Sequence, residues 1–417
     1  MAPADRADAR GEFIVNRALA IILATVTLDA IGIGLVFPIL PELLRDVVHQ
    51  DDIALLFGLI LALYALMQFL FSPILGVLSD RFGRRPVLIM SLVGAAIDYL
   101  IMAVAPQFWV LVVGRAIAGI TSANMAVATA YITDISAEDE RAKRFGYFHA
   151  VWGVGFIIGP ILGGFLGEHW VRAPFLAAAL LNGLNCALAI FVLPESRPGR
   201  PGAGFDAKTL NPFIPLQWAL GFKALLPLMA INVIMMFVGQ MYGTVWVLFS
   251  EDQYGWSAFT IGLSFAAFGV FHAGAQAFLV GPVAARVGER AALLIGFSAE
   301  ATALVVLAFA TQGWIMFAIM PLFAIGGLGM PALQSLTTTQ VDADRQGQLQ
   351  GVLASLVSLS SIFGPLFFSA AYFLVRPGWP GAIWLIGALI YCSAVPLMAR
   401  MRGRAAPDPL EPAGGGA

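Results

Sequence analysis

Long apolar runs alternate with short polar segments along the whole chain. Twelve runs approach or exceed the roughly 20 residues that a helix needs to cross a hydrocarbon core. In the first half they are Arg17–Leu40, Ile53–Leu78, Val87–Ala105, Phe108–Ile132, Gly146–Gly167 and Pro174–Leu193. In the second half they are Ala224–Phe249, Phe259–Ala284, Ala291–Ala310, Trp314–Thr339, Leu349–Val375 and Gly381–Ala399. Each is predicted to form a membrane-spanning helix. The segment 194–221 is rich in Pro, Gly and charge and reads as a surface linker. From 404 to 417 the chain is mostly Ala, Pro and Gly, and a disordered tail is expected. The expected organisation is a first six-helix bundle (1–193), the linker (194–221), a second six-helix bundle (222–403) and the tail (404–417). The first sixteen residues are polar and hold no short apolar core with a small-residue cleavage site. The first run is therefore expected to be a retained helix.

Composition agrees with the pattern. Charged residues make up 12% of the chain, hydrophobic residues 59%, and the mean hydropathy is +0.86. Soluble domains carry about 25% charged residues, so the soluble class is excluded and an all-α integral membrane protein is expected. The positions of the basic residues set its orientation. With the N-terminus cytoplasmic, nineteen of the 23 fall on the cytoplasmic side. Arg45, Arg172 and Arg376 fall opposite, and Arg115 lies inside a run. Both termini are thus expected in the cytoplasm.

The halves repeat. Gly76 and Gly281, Gly83 and Gly288, Arg85 and Arg290, Gly159 and Gly364, and Pro160 and Pro365 all stand 205 residues apart. Five matches at one offset predict two bundles related by a pseudo-twofold, with a substrate site between them near the midplane. Cys186 and Cys392 are far apart in apolar runs and read as small apolar side chains. The four histidines have no metal-ligand spacing. No nucleophile–base set or cofactor loop points to an enzyme, and no resident cofactor or nucleic-acid partner is expected.

Two motifs and a set of buried charges carry candidate chemistry. Between the second and third runs lies Gly76-Val-Leu-Ser79-Asp80-Arg81-Phe82-Gly83-Arg84-Arg85. Gly83 permits a tight turn, and Asp80 can pair with a nearby arginine or a helix N-terminus. A topology anchor is the plainer reading of these arginines. The second-half copy has Ala285 in place of the acid, so any latch is expected to be stronger in the first half. The fifth run carries Gly155-Phe-Ile-Ile-Gly159-Pro160-Ile-Leu-Gly163-Gly164, which suits close helix approach with a bend at Pro160.

Asp29, Asp98, Arg115 and Glu300 lie within apolar runs. Ionisable groups in a membrane are costly and are functional candidates by default. Arg115 has a structural alternative, as ion-pair partner of one acid. Three acids against one base leave carboxylates without an interior cation. Burial disfavours the charged form, so such a group can take up a proton, or it can hold a cationic substrate. The repeat offset maps Glu300 to position 95, three residues from Asp98. His272 shares a helix face with Gln276, although a lone helical histidine is equally a satisfied interior residue. Gln68, Asn124, Gln240 and Gln334 are further polar groups able to line a cavity, with Tyr64, Trp246 and Phe249 as apolar walls.

The Asp80 loop resembles the signature loop of the major facilitators, and the Gly159-Pro160 helix resembles the antiporter motif of their drug exporters. The order of strings along nearly the whole chain resembles the tetracycline efflux family of drug/proton antiporters. It runs from Leu28-Asp29-Ala-Ile-Gly32-Ile-Gly34 through Ala62–Gln68, Ile97-Asp98-Tyr99 and Gly114-Arg115. It continues through Val245–Phe249, His272, Gln276, Gly329–Gln334 and Gln346–Gly351. The resemblance implies the major facilitator fold, a bacterial inner-membrane location and export of a tetracycline–divalent-cation chelate against protons. By position, Asp29, Asp98 and Arg115 match residues that are functional in that family; together with Glu300 they are the proton-coupling candidates, and Gln68, Asp98, Asn124, Gln240, His272, Gln276 and Glu300 are the candidate substrate contacts. The resemblance also implies gating by Asp80, Arg81, Gly83, Arg84 and Arg85. Magnesium would travel with the substrate. Three departures stand out: Glu300 where the family has Asp, Ser122-Ala-Asn124-Met125 in the fourth helix, and Met241-Tyr242 in the seventh. Alternatives are a multidrug or metabolite exporter of the same fold, or a non-transporting membrane sensor. Buried acids without partners argue against the sensor.

Overall fold

The structure, a computed structural model, describes residues 3–197, 217, 222, 225–342 and 345–401. Most of the expected linker and all of the expected tail lie outside the described residues. Every regular element described is helical, and among the described residues twelve helical spans are long and apolar enough to cross a membrane.

The first half of the sequence gives α1 (Pro3–Val36), α2 (Leu40–Val48), α3 (Ala54–Phe82), α4 (Arg84–Val104), α5 (Phe108–Thr121), α6 (Asn124–Asp134), α7 (Arg141–His169) and α8 (Ala173–Phe191). The second gives α9 (Leu226–Tyr254), α10 (Ala258–Phe278), α11 (Val280–Val287), α12 (Glu289–Phe309), α13 (Gly313–Ala318), α14 (Met320–Gly326), α15 (Gly329–Thr338), α16 (Gln346–Val375), α17 (Ala382–Cys392) and α18 (Val395–Met401). Helix α1 begins at Pro3 rather than Arg17, because hydropathy reports the span and not the helix. The preceding polar stretch includes Ala, Arg and Glu, which favour helix without being apolar. Four predicted runs are broken. The fourth span is α5 then α6, and the tenth is α13, α14 and α15. The eighth run divides into α10 and α11, and the twelfth into α17 and α18.

The chain forms two compact units. One comprises Met1–Asp51, Leu66–Leu210 and Ser257–Ala266, and the other Asp52–Ala65, Asn211–Trp256 and Ala267–Ala417. The units thus depart from the sequence halves at two places, since α3 and α10 each change unit partway along.

In the first unit α1 packs on α7 and α8, and α4 on α5 and α8. The α1–α7 approach depends on bare backbone. A methyl group built on Gly159 would come within 2.7 Å of the Gly34 Cα, and one on Gly163 within 2.2 Å of the Leu35 carbonyl oxygen. Only glycine lets two helices come this close. The polarity of α8 is inverted relative to a soluble helix. Asn182 and Asn185 are fully buried, while Leu180, Leu184 and Phe191 are exposed. With hydrocarbon as the solvent, amides turn inward to find partners and leucines turn out. Asn185 donates to the Thr25 carbonyl oxygen of α1 at 2.9 Å. In the second unit α9 packs on α16, and α12 on α14, α15 and α17.

The repeat inferred from five residue matches recurs in side-chain contacts. Trp109 donates to the Gln107 side chain at the start of α5, and Trp314 does the same to Gln312 at the start of α13. Both members of each pair again stand 205 residues apart. Arg172 holds Asp46 at 2.8 Å in the first unit, and Arg376 holds Asp252 at 2.7 Å in the second.

Candidate functional site

The break in the fourth span is where polar groups of the first unit converge. Ser122 and Ala123 leave helical geometry between α5 and α6, which frees backbone groups that a membrane interior cannot satisfy with water. Gln68 of α3 donates to the Ser122 hydroxyl at 2.9 Å. Asn124, the first residue of α6, donates to the Asp29 carboxylate at 2.8 Å. The departure at Ser122–Met125 is therefore the site of the break. The tenth span has the matching feature. Its helix is interrupted at Gly327, which is Ser122 plus the offset of 205. Gln276 of α10 donates to the Gly327 carbonyl oxygen at 3.3 Å, and the His272 ring lies beside Gly327 and stacks on Phe268. In each unit a glutamine from the second span of its half reaches the break in the fourth.

The intramembrane charges separate into one pair and two acids. Arg115 of α5 meets both carboxylate oxygens of Asp98 on α4, with Nε to Oδ1 at 3.2 Å. Its guanidinium also lies over the Tyr99 ring, 6.0 Å from the centroid. Asp98 is 1% exposed, so the pair is nearly dry. Asp29 is also buried and has the Asn124 amide as its partner. In the second unit Glu300 of α12 accepts a hydrogen bond from the Tyr242 hydroxyl of α9. Tyr242 is fixed by stacking on Trp384 and by the edge of Phe323. Glu300 also lies against Gly326, where a Cβ would meet its Oε2 at 2.2 Å. Among the described residues no ion pair reaches Asp29 or Glu300. Two of the three sequence departures, Glu300 and Tyr242, thus touch each other.

The remaining candidates are placed as follows. The Gln240 side chain packs against Gly364 of α16. Trp246 and Phe249, expected as cavity walls, are buried against Trp384 and belong to the packing of the second unit. Aromatic residues near a polar site look alike in sequence whether they line or fill space.

At the α3–α4 loop, Arg84 takes Asp80 at 2.8 Å, Asp134 at the end of α6 at 3.0 Å and the Ser79 hydroxyl at 3.0 Å. Arg85 donates to the carbonyl oxygens of Ala189 and Ile190 at the end of α8. Arg81 lies over the Phe82 ring. Gly83 has φ of +102°, the turn that its sequence position suggested. Asp134 and Glu195 complete this network and carry no sequence signal beyond being acids at the ends of spans.

Twelve spans in two units, paired breaks in the fourth and tenth, and buried acids define a multi-pass membrane transporter. The Major Facilitator Superfamily profile matches residues 22–243 and 228–417. The chain is 54% identical over 387 residues to the class C tetracycline resistance protein of Escherichia coli, covering 92% of this chain and 97% of that one. It is 48% identical over 385 residues to the class G tetracycline resistance protein of Vibrio anguillarum, covering 92% and 98%. Among solved structures it is similar to the nucleoside transporter NupG, with a TM-score of 0.75 and 13% identity over 92% of this chain and 99% of that one, a likeness of fold. The chain belongs to the Major Facilitator Superfamily and, within it, to the family of the tetracycline resistance proteins.

Proposed function

We propose that this protein exports tetracycline, as its chelate with a divalent cation, from the bacterial cytoplasm across the inner membrane in exchange for protons. The observation that carries the reading is the 54% identity to a tetracycline resistance protein over nearly the whole chain, in a fold whose intramembrane acids Asp29 and Glu300 have neutral partners. A carboxylate without a cation nearby can bind either a proton or a cationic chelate, and an exchanger needs such a group to be vacated by one before the other enters. Asp98 and Arg115 neutralise each other and can re-pair when either is engaged. Gln68, Asn124, Gln240, His272 and Gln276 are proposed to contact the drug through their amide and imidazole groups. Asp80, Arg81, Gly83, Arg84 and Arg85 are proposed to gate the cytoplasmic end. Both termini are cytoplasmic in this reading, magnesium enters only as part of the substrate, and the drug leaves chemically unchanged. Nucleic acid has no part in it.

Inverted membrane vesicles test the proposal. Tetracycline uptake in the presence of magnesium should follow an imposed inward-acid pH gradient and collapse when a protonophore is added. Uptake that ignores the gradient would remove proton exchange, and no uptake at all would remove the drug.

A further inference from the structure

The arginine network on α3, α4, α6 and α8 rests on Glu195, a residue outside all twelve spans. Glu195 follows Pro194 at the root of the segment that joins the two halves of the chain. Its Oε1 accepts from the backbone N–H of Arg84 at 2.8 Å, and its Oε2 from that of Arg85 at 3.2 Å. These are the first two residues of α4, whose N–H groups have no acceptor within the helix. A carboxylate there also meets the positive end of the helix dipole. The approach requires glycine at 83, because a Cβ would lie 2.5 Å from the Glu195 Oε2. The neighbours of Glu195 join the same network. Ser196 donates to Asp134, the acid that holds Arg84, and Tyr131 donates to the Pro194 carbonyl oxygen at 2.8 Å.

The second half provides an internal comparison. Gly288 also has a positive φ, of +79°, yet a Cβ built on it would meet nothing within 4 Å. The offset of 205 places Arg400 where the first half has Glu195, so the charge is reversed. The carboxylate cap therefore belongs to the first-half loop, which is also the copy that retains Asp80.

We infer that Glu195 is a positioning residue for transport. It holds the start of α4 so that Arg84 stays engaged with Asp80 and Asp134, and it ties the root of the connecting segment to that latch. This rests on the gating role proposed above for the loop. Glu195 is solvent-exposed, so its substitution should leave the folded protein intact.

Two readouts on Glu195→Gln and Glu195→Ala decide the matter. In hydrogen–deuterium exchange of the purified protein, the amides of Arg84 and Arg85 should exchange faster in both variants, with the rest of α4 unchanged. In vesicles, tetracycline turnover should fall about three- to tenfold while equilibrium affinity holds, the mark of a group acting away from the drug. Adding Glu195→Ala to Arg84→Ala should slow transport no further, because both act through one contact set. Unchanged amide exchange would overturn the contact. Faster exchange with wild-type turnover, or rate losses that multiply in the double variant, would overturn the positioning role. A wild-type protein that moves no tetracycline would instead sink the transport reading and the role with it, while the exchange readout would still report the contact.

Discussion

At Asp98 and Arg115, two opposite charges share a nearly dry site, so removing either takes away the other's opposite charge. Breaking such a pair costs about 3–5 kcal/mol, whereas replacing both partners together costs far less. Arg115→Ala should therefore lower the thermal unfolding temperature in detergent sharply, and Asp98→Asn should do so as well. The double variant Asp98→Asn/Arg115→Gln should recover most of the loss, and thermal melts of all three check this. Asp98→Asn should in addition abolish gradient-driven export, because the amide neither titrates nor balances Arg115. Glu300 has a different expectation, since its partner is a neutral hydroxyl. If its carboxylate holds the cationic chelate, Glu300→Gln removes a charge-assisted contact of about 1.5–3 kcal/mol. Magnesium–tetracycline affinity should then fall about ten- to a hundredfold. Glu300→Asp keeps the charge and should lose less. Binding isotherms on size-checked protein would reject the contact if Glu300→Gln bound like the wild type. These four charges were legible in sequence because an ionisable residue inside an apolar run is conspicuous. Their partners were not. Asn124 is 95 positions from Asp29, and Tyr242 is 58 from Glu300. Such pairings follow from which helix faces meet.

Among the elements, α1 and α7 show what backbone proximity demands. Gly159 faces Gly34 at a distance that admits no side chain, whereas a Cβ on Gly153 of the same helix would meet nothing within 4 Å. Gly159→Ala should force α1 and α7 apart and reduce the yield of monodisperse protein. Gly153→Ala should be neutral or slightly stabilising, because alanine favours helix over glycine by about 1 kcal/mol. Size-exclusion profiles and melts of the two variants, side by side, test the packing argument. The breaks in the fourth and tenth spans belong to this scale too. Hydropathy reads 108–132 and 314–339 as continuous runs because Ser, Ala and Gly interrupt a helix without interrupting apolarity. Gln68 and Gln276 reach the breaks from other helices, contacts that hydropathy does not report.

For the whole molecule, the distribution of basic residues makes a topological prediction. An alkaline phosphatase fused after Arg172 should be active, because that loop is expected outside the cytoplasm, and one fused after Arg197 should be inactive. The reverse pattern would invert the orientation. The apolar runs, their number and the 205-residue repeat were all present in the sequence, because hydrocarbon as solvent imposes length and polarity on every span. The repeat carried further than five residues suggested, into the paired tryptophan contacts, while the two arginine clamps stand one residue off it. The division into compact units did not follow from it. Segment 52–65 belongs to the second unit and 257–266 to the first. In the second unit Arg376 holds both Asp52 and Asp252, residues 200 positions apart. Sequence by itself determined a twelve-span helical transporter with acids inside the membrane, since each of those properties is local to one run. Only the tertiary structure decided that Arg115 neutralises Asp98, that Tyr242 rather than a cation meets Glu300, and that Glu195 caps α4. Those outcomes depend on distances of about 3 Å between groups far apart along the chain, and packing alone sets such distances.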